Sequence, residues 1–221
     1  MARMAMALPM APAAMKKTHY EPRGIEIRHG AYLPHWTRDG AIYALTFRLG
    51  DSMPKSVVNS WDFERLDIVK TAQQMNRPLT LAEEMRLDKL FSEKVETYLD
   101  RGTGECWMRR DDVAALVANA LQHFEGTRYR LAAWCVMPNH VHTVVEPLPG
   151  YELPRIVHSW KSFTANRANL LIGRTGQFWQ PEPYDHLIRD EEDFGRQVEY
   201  VLSNPVRAGL RNWKWVGGGV L

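Results

Sequence analysis

The sequence predicts an α+β fold in which an antiparallel β-sheet carries helices on one face. Two apolar, β-branched runs at 129–137 and 140–148 flank Pro138 and Asn139, a pair that is typical of a tight turn. These runs therefore form a predicted β-hairpin. A strand and helices precede the hairpin, and a helix, a strand and a final helix follow it. That order suits an antiparallel sheet.

The strand before the hairpin is predicted at 41–49, where apolar and polar side chains alternate as in a half-buried strand. Thr46 and Arg48 belong to the face opposite the apolar side chains. The segment 178–190 is interrupted by prolines and predicts a broken edge strand.

Five segments have the apolar spacing of amphipathic helices: 54–75, 80–102, 111–124, 153–173 and 190–204. Thr80 and Glu83 have the spacing of a capping box at the start of the second helix. Asp111 or Asp112 is the predicted N-cap of the third. We expect the last helix to stop at Asn204, because the next residue is a proline.

The length of 221 residues is enough for one sizeable domain. We expect a disordered leader at 1–27 and a single domain at 28–215, with a helical insertion at about 54–100. The formal net charge of +2 is too small to indicate a nucleic-acid partner by itself. Two cysteines without metal-ligand spacing argue against a disulfide scaffold and a structural zinc site, and they favour a cytoplasmic location. No apolar run approaches the roughly 18 residues of a membrane helix.

Two histidines one residue apart follow the predicted turn. Side chains at i and i+2 of a strand point to the same face, so His140 and His142 stand side by side. If the apolar residues of this strand pack under helices, the imidazoles occupy the other, more open face, where two neutral rings can bind a divalent cation. The alternative is that each ring only forms a hydrogen bond at the sheet surface.

The last predicted helix places Tyr200 and Asn204 one turn apart on the same face. Tyr200 lies away from the apolar stripe of that helix, which is formed by Phe194, Val198, Val201 and Leu202. The two residues thus present a hydroxyl and a carboxamide on a face that the core does not use. The alternative is a surface tyrosine and a simple helix terminus.

Four stretches together resemble a known family: WCVMPNHVHTVVEP, LPRIVHSWKSFTANRA, FWQPEPYDHLIRDEEDF and YVLSNPVRAGL. They are similar to the single-tyrosine HUH transposases, and most closely to the REP-associated tyrosine transposases. The resemblance covers residues 28–212. The chain departs from the compact insertion-sequence enzymes in its long helical segment at 54–100.

The resemblance implies a ferredoxin-like sheet, a divalent metal ion and a tyrosine that forms a 5′-phosphotyrosine link with single-stranded DNA. His140, His142 and Asn204 are the implied ligands of Mg²⁺ or Mn²⁺, since imidazole nitrogens suit the softer of these ions. Tyr200 is the implied nucleophile. Tyr184 is the rival nucleophile on the predicted edge strand.

The resemblance further implies nicking and rejoining of single-stranded or hairpin DNA at repeated palindromic elements, by a monomer or homodimer. Candidate phosphate contacts are Lys161, Arg167, Arg207 and Arg211. Two alternatives stay open. One is a metal-dependent nuclease that uses water as its nucleophile, and the other is a domesticated or inactive module that binds single-stranded nucleic acid without cutting it.

Overall fold

The computed structural model describes residues 26–29, 34–37, 40–77, 79–90 and 95–219. The strands are β1 (Glu26–His29), β2 (Pro34–Thr37), β3 (Tyr43–Arg48), β4 (Tyr129–Val136), β5 (His140–Pro147), β6 (Tyr184–Leu187) and β7 (Val216–Gly217). The helices are α1 (Lys55–Gln74), α2 (Leu81–Leu90), α3 (Thr97–Asp100), α4 (Asp111–Gln122), α5 (Leu153–Ile172) and α6 (Glu191–Arg207).

The main sheet has five strands in the order β6–β3–β5–β4–β7, and every neighbouring pair is antiparallel. Strands β4 and β5 form the predicted hairpin, which the Met137 backbone N–H closes by donating to the His140 carbonyl at 2.8 Å. The hairpin places β5 in the centre of the sheet. Strands β1 and β2 pair only with each other among the described residues.

Helices α4 and α5 cover one face of this sheet. Apolar side chains of β3 and β5, such as Phe47 and Val141, pack beneath them in one buried cluster. Tyr129 links the layers: its hydroxyl donates to the Leu121 carbonyl at 2.7 Å and accepts a hydrogen bond from Trp160 Nε1 at 2.9 Å. A strand and two helices are therefore joined by a buried polar contact within an apolar core.

The prediction of an antiparallel α+β sheet is confirmed, but the helices are not all on one face. Helix α6 packs on the opposite face, where Val201 contacts a second cluster that includes Cys135 and Val144. The central strand β5 is consequently buried on both sides, and residues of either face can be fully covered. From the alternation of apolar and polar residues alone, the face that α6 covers was expected to be open to solvent.

Four of the five predicted helices are present, with small differences at their ends. The fifth, predicted at 80–102, corresponds to α2 and the short α3, and residues 91–94 between them lie outside the described residues. The capping box is confirmed, because the Glu83 N–H donates to Thr80 Oγ1 at 3.3 Å and the Thr80 N–H donates to Glu83 Oε2 at 2.7 Å. Arg110, and neither Asp111 nor Asp112, is the N-cap of α4. Helix α6 runs through Pro205 to Arg207. A proline this close to the end removes only one backbone donor, so the helix continues for a final turn.

The predicted insertion contains helices α1 to α3, which form a small apolar cluster of their own. Met53, Trp61 and Leu99 belong to this cluster, and the half-buried Tyr184 of the edge strand packs against it. The insertion is thus attached to the β6 edge of the sheet.

The predicted leader at 1–27 lies outside the described residues except for Glu26 and Ile27, which begin β1. No helix in the described part of the chain is both long and apolar enough to cross a membrane. Cys106 and Cys135 are buried free thiols.

Replacing Leu121 by Ala should lower the free energy of unfolding by about 2–5 kcal/mol, because the side chain is 0% exposed and its removal leaves a cavity between α4 and the sheet. Leu170→Ala is the matched control, since Leu170 is 75% exposed and should change stability by no more than about 0.5 kcal/mol. Urea unfolding of the two variants checks this. Equal losses of stability would contradict the placement of the core.

Candidate active site

The two histidines lie at the centre of the sheet, beneath α6. Their exposed fractions are 1% for His140 and 2% for His142, and their ring centroids are 4.5 Å apart in an edge-to-face arrangement. They share one face, as predicted. The expectation of a more open face is wrong, because α6 covers it.

The orientation of His140 is fixed by its neighbour in the turn. The Asn139 Nδ2 group donates to the Thr103 carbonyl at 3.0 Å, so the Asn139 Oδ1 atom faces His140 Nδ1 at 2.7 Å. A carboxamide oxygen only accepts hydrogen bonds, and therefore His140 Nδ1 must carry the proton. The lone pair of His140 is consequently on Nε2.

His142 has an equivalent support from the neighbouring strand. Thr46 on β3 is its direct cross-strand partner, and Thr46 Oγ1 lies 2.7 Å from His142 Nδ1. When the threonine hydroxyl accepts from Nδ1–H, the lone pair of His142 is on Nε2 as well. Hydrogen bonding of the distal nitrogen to protein is typical of histidines that bind metal ions.

Both imidazoles are neutral in this environment. Burial lowers the pKa of His140 well below its usual range, and the neighbouring His142 adds to this effect. Burial, followed by the positive charge of Arg207, lowers the pKa of His142 to about 3. Neutral imidazole is the form that coordinates a metal ion.

Tyr200 of α6 contacts one member of the histidine pair, His142. Its ring centroid is 5.3 Å from that of His142, at an interplanar angle of 82°. The Arg207 guanidinium lies over the Tyr200 ring, with its central carbon 4.9 Å from the ring centroid. Asn204 is placed between these two residues along the helix and is 1% exposed. The face of α6 that carries Tyr200 and Asn204 therefore packs onto the sheet, contrary to the expectation that the core leaves it unused.

Polar atoms at the α6–β5 contact are buried without a hydrogen-bond partner among the described residues. They are His140 Nε2, His142 Nε2, Tyr200 Oη and Asn204 Oδ1. Unpaired buried polar groups are costly and point to a ligand that would satisfy them.

Two imidazole nitrogens and a carboxamide oxygen form a donor set that fits a divalent transition metal ion or Mg²⁺. No three His, Cys, Asp or Glu side chains come together as a metal site in the part of the chain that the structure describes. A third protein ligand beside the histidines would then be of another type. Asn204, which is buried and whose Oδ1 atom has no hydrogen-bond partner in the described residues, is a candidate for such a ligand.

A cavity of about 920 Å³ adjoins the histidine pair, between α2, the β6–β3 edge and α6. Its wall includes His142, Tyr200 and Arg207, together with Glu96 from the insertion and Arg196 from α6. The tyrosine and one imidazole are thus reached from a space large enough for a nucleotide-sized ligand.

The surroundings of Tyr200 strongly disfavour ionisation of its phenol. Burial is the largest cause of a pKa raised well above the usual range. The negative charges of Glu96 and Asp100 raise the Tyr200 pKa further, and the positive charge of Arg207 opposes them. Tyr200 is therefore a neutral hydroxyl at neutral pH and has to lose its proton to a neighbour if it acts as a nucleophile.

The predicted DNA-contacting residues are dispersed. Arg207 is exposed and lies at the tyrosine, and Arg211 is exposed in the loop after α6. Lys161 and Arg167 are on α5, which covers the other face of the sheet. The Lys161 ammonium donates to the carbonyls of Gln180 and Pro181, both at 2.6 Å.

Tyr184 lies farther from the histidines than Tyr200 does. It pairs with Thr46 across β6 and β3, so one intervening strand separates it from His142. His186, on the same strand, binds Asp193 of α6 through Nε2 at 2.9 Å and fastens that helix to the sheet edge. This contact gives His186 a structural role at the sheet edge.

Three residues of the site were not predicted. Thr46 was assigned to the correct face of its strand, but its partner could be known only from the strand register. Asn139 was interpreted only as a turn residue. Glu96 lies in the insertion and comes near Tyr200 through tertiary packing, for which the local sequence carries no signal.

This chain is similar to known transposases in the region that contains the two histidines. Residues 108–189, which include both histidines, match a family model described as "Transposase IS200 like". The resemblance to the tyrosine transposases is confirmed. The REP-associated tyrosine transposase of Escherichia coli (strain K12) is 28% identical over 83 residues, which cover 37% of this chain and 47% of that protein.

A protein of Haemophilus influenzae whose name places it among the REP-associated tyrosine transposases is 27% identical over 103 residues, covering 39% of this chain and 57% of that protein. The chain thus spans about half the length of the curated relatives it matches. A solved structure of a REP-associated tyrosine transposase bound to a REP hairpin overlaps with a TM-score of 0.45 at 14% identity, covering 86% of this chain and 81% of that one.

Replacing Thr46 by Val should weaken Mn²⁺ binding by about ten- to a hundredfold, because His142 loses the hydrogen bond that orients it. Thr143→Val is the matched control: Thr143 is also buried on the sheet, but its hydroxyl has no hydrogen-bond partner in the described residues. Titration calorimetry with Mn²⁺ measures both. Equal affinities for the wild type and Thr46→Val would remove this threonine from the site.

Proposed function

We propose that this chain is a metal-dependent transposase or endonuclease that nicks and rejoins single-stranded or hairpin DNA through a 5′-phosphotyrosine intermediate. The observation that carries the proposal is the contact between Tyr200 and His142, one of two adjacent buried imidazoles whose Nε2 atoms have no hydrogen-bond partner within the described residues. The proposed nucleophile and one proposed metal ligand therefore line the same cavity.

In this proposal His140, His142 and Asn204 hold Mg²⁺ or Mn²⁺. When bound there, the ion would polarise the scissile phosphate and neutralise its developing charge, which is worth several kcal/mol in the transition state. Thr46 and Asn139 keep the two imidazoles oriented for this task. We expect Mn²⁺ to support activity at least as well as Mg²⁺, because two of the three ligands are nitrogens.

Tyr200 supplies the nucleophile. Its phenolic oxygen forms a bond to the phosphorus, the bond from phosphorus to the 3′ oxygen breaks, and the DNA strand leaves with a free 3′ hydroxyl. The resulting phosphotyrosine ester conserves the energy of the broken bond, so a 3′ hydroxyl can reverse the reaction and rejoin DNA. This is the difference between a transposase and a nuclease that uses water.

The proposed substrate is single-stranded or hairpin DNA at REP-like elements, as the names of the relatives suggest. Cationic side chains from several elements line the cavity at Tyr200: Lys89, Arg189, Arg196 and Arg207. Four carboxylates line the same cavity, so its wall is of mixed charge: Glu96, Asp190, Asp193 and Glu199. The exposed Arg207, over the Tyr200 ring, is placed to contact a phosphate beside the tyrosine. We further propose phosphate contacts for Lys161, Arg167 and Arg211, and a cytoplasmic monomer or homodimer.

Tyr200→Phe should abolish formation of a covalent adduct between the protein and DNA while leaving hairpin binding and the melting temperature close to those of the wild type. The change removes one oxygen and keeps the ring that packs on His142. The measurement is gel analysis of a labelled hairpin oligonucleotide with Mn²⁺, repeated in excess EDTA. Tyr184→Phe is the matched control and should still form the adduct.

The alternative functions give different patterns in the same experiment. Cleavage without any adduct would indicate a nuclease that uses water. Binding without cleavage by the wild type would indicate a binding module. An adduct that survives Tyr200→Phe but not Tyr184→Phe would place the nucleophile on the edge strand.

DNA affinity should fall steeply with salt, by a log–log slope of roughly −0.7 for each phosphate contact on a single strand. Replacing Arg207 and Arg211 together by Ala should reduce this slope by roughly one to two contacts. Fluorescence anisotropy between low and physiological salt measures the slope. Arg155→Ala, on the exposed side of α5, is the control and should leave the slope unchanged. An unaltered slope in the double variant would exclude both arginines from the binding surface.

A further inference from the structure

We propose that Glu96, which the helical insertion contributes, accepts the phenolic proton of Tyr200 during the attack on DNA. This inference rests on the proposed function and adds to it a catalytic residue outside the segments that resemble the tyrosine transposases. Its basis is the placement of Glu96 in the wall of the cavity that also contains Tyr200, His142 and Arg207.

The fold holds Glu96 firmly in that wall. Glu96 immediately precedes α3, and it lies between two buried side chains of the insertion, Val95 at 0% and Leu99 at 1% exposed. These two residues pack into the apolar cluster of α1 to α3. The insertion therefore holds the Glu96 backbone beside its apolar cluster, and the half-buried Glu96 side chain lines the cavity at Tyr200.

Glu96 is the acidic side chain that interacts directly with the Tyr200 hydroxyl. The hydroxyl nevertheless forms no hydrogen bond of good geometry with the described residues. A loose contact of this kind is common before substrate binds, because catalytic hydrogen bonds often tighten only in the reacting complex. Asp100, one turn further on, acts on Tyr200 by charge alone.

A role as metal ligand does not fit Glu96. Within the described ranges, no cluster of three His, Cys, Asp or Glu side chains could hold an ion, and so Glu96 does not complete a set with the two histidines. Its partners are the phenol of Tyr200, the carboxyl of Asp100 and the guanidinium of Arg207. Among these groups only the phenol has a proton to give during the proposed reaction.

Transfer to Glu96 accounts for the proton that Tyr200 loses during cleavage. As the phenolic oxygen bonds to phosphorus, its O–H bond breaks and the proton passes to a Glu96 carboxylate oxygen. The electron pair of the breaking P–O bond stays on the 3′ oxygen, which takes a proton from water. During rejoining the protonated Glu96 returns its proton to the leaving phenolate, as microscopic reversibility requires.

The environment favours this exchange. Burial is the main cause of a raised pKa for Glu96, its contact with Tyr200 and the charge of Arg207 lower the pKa, and the charge of Asp100 raises it. A carboxylate with a raised pKa is a stronger proton acceptor than an exposed one. Tyr200 needs such an acceptor because a phenol has to lose its proton when its oxygen bonds to phosphorus.

A role of Glu96 through its charge and a role as proton acceptor predict opposite changes in the cleavage rate when the carboxylate is removed. The negative charge of Glu96 disfavours a tyrosinate beside it, so Glu96→Gln would leave cleavage unchanged or make it faster if Glu96 acted only through its charge. Loss of a proton acceptor slows the reaction instead. The sign of the change in rate therefore identifies the role.

The experiment measures single-turnover formation of the covalent adduct on a hairpin oligonucleotide with Mn²⁺, over a range of pH. Glu96→Gln should slow it by about 10²- to 10⁴-fold at neutral pH. The wild-type rate should rise with pH through the raised pKa of Glu96, where the carboxyl becomes ionised, and Glu96→Gln should lose this rise. Mn²⁺ affinity and hairpin affinity should not change.

Two further variants complete the test. Asp100→Asn removes a neighbouring charge on α3 that raises the pKa of Glu96, so the rise in rate with pH should be preserved but shifted to lower pH. Glu96→Asp retains a carboxyl on a shorter side chain and should give an intermediate rate with the pH-dependent rise preserved. It also provides a folded comparison if Glu96→Gln unfolds.

An undiminished rate in Glu96→Gln, beside a wild type that forms the adduct, would overturn this inference and leave the proposed function intact. So would a pH profile of Glu96→Asp that lacks the rise. Absence of the adduct in the wild type itself would overturn the proposed function, and the role of Glu96 with it.

Discussion

The arrangement of the site follows from the burial of two neutral imidazoles at the centre of an antiparallel sheet. The Nδ1 atom of each ring forms a hydrogen bond with a neighbouring side chain: His140 with Asn139 in the turn, and His142 with Thr46 on the adjacent strand. The Nε2 atoms are left in a space that α6 closes from above. Because an unpaired buried nitrogen is costly, such an arrangement is stable only where a ligand or the rest of the fold compensates for it.

The two faces of the sheet have different roles: one carries the larger apolar core and the other carries the polar site. On one face, α4 and α5 form the larger apolar core, and the Tyr129 contacts with Leu121 and Trp160 hold the layers together. Strand β5, which packs on that core, pairs with β3 in a register that places Thr46 opposite His142. On the other face, α6 contributes Tyr200 and Asn204. A rigid apolar layer therefore sets the position of a polar site behind it, as precise orientation of catalytic groups demands.

The sequence predicts the parts of this structure that depend on local pattern. Alternation identified β3 and the hairpin, and helical spacing identified α1, α4, α5 and α6 together with the pairing of Tyr200 and Asn204 on one helical face. What it could not predict depends on packing between distant segments. The hydropathy pattern of β5 does not distinguish a polar face in water from one under a helix, so the histidines were expected to be more open than their exposed fractions of 1% and 2%. The same limitation explains why Thr46 and Glu96 were missed as neighbours of the site.

The insertion is the segment whose position in the structure is least predictable from its own sequence. Considered alone, residues 54–100 are amphipathic helices with a capping box, a pattern that indicates only that they fold against something. In the structure they form a satellite core on the β6 edge, and the buried Val95 and Leu99 bring the intervening Glu96 to Tyr200. Residues 54–100 lie outside the part of the chain that matches the transposase family model, which is 108–189. If the insertion both completes the cavity wall and supplies a proton acceptor, then a segment beyond that match belongs to the active site itself. Its apolar cluster is then under the same constraint as the histidine supports, because displacing α3 would move Glu96 away from the phenol.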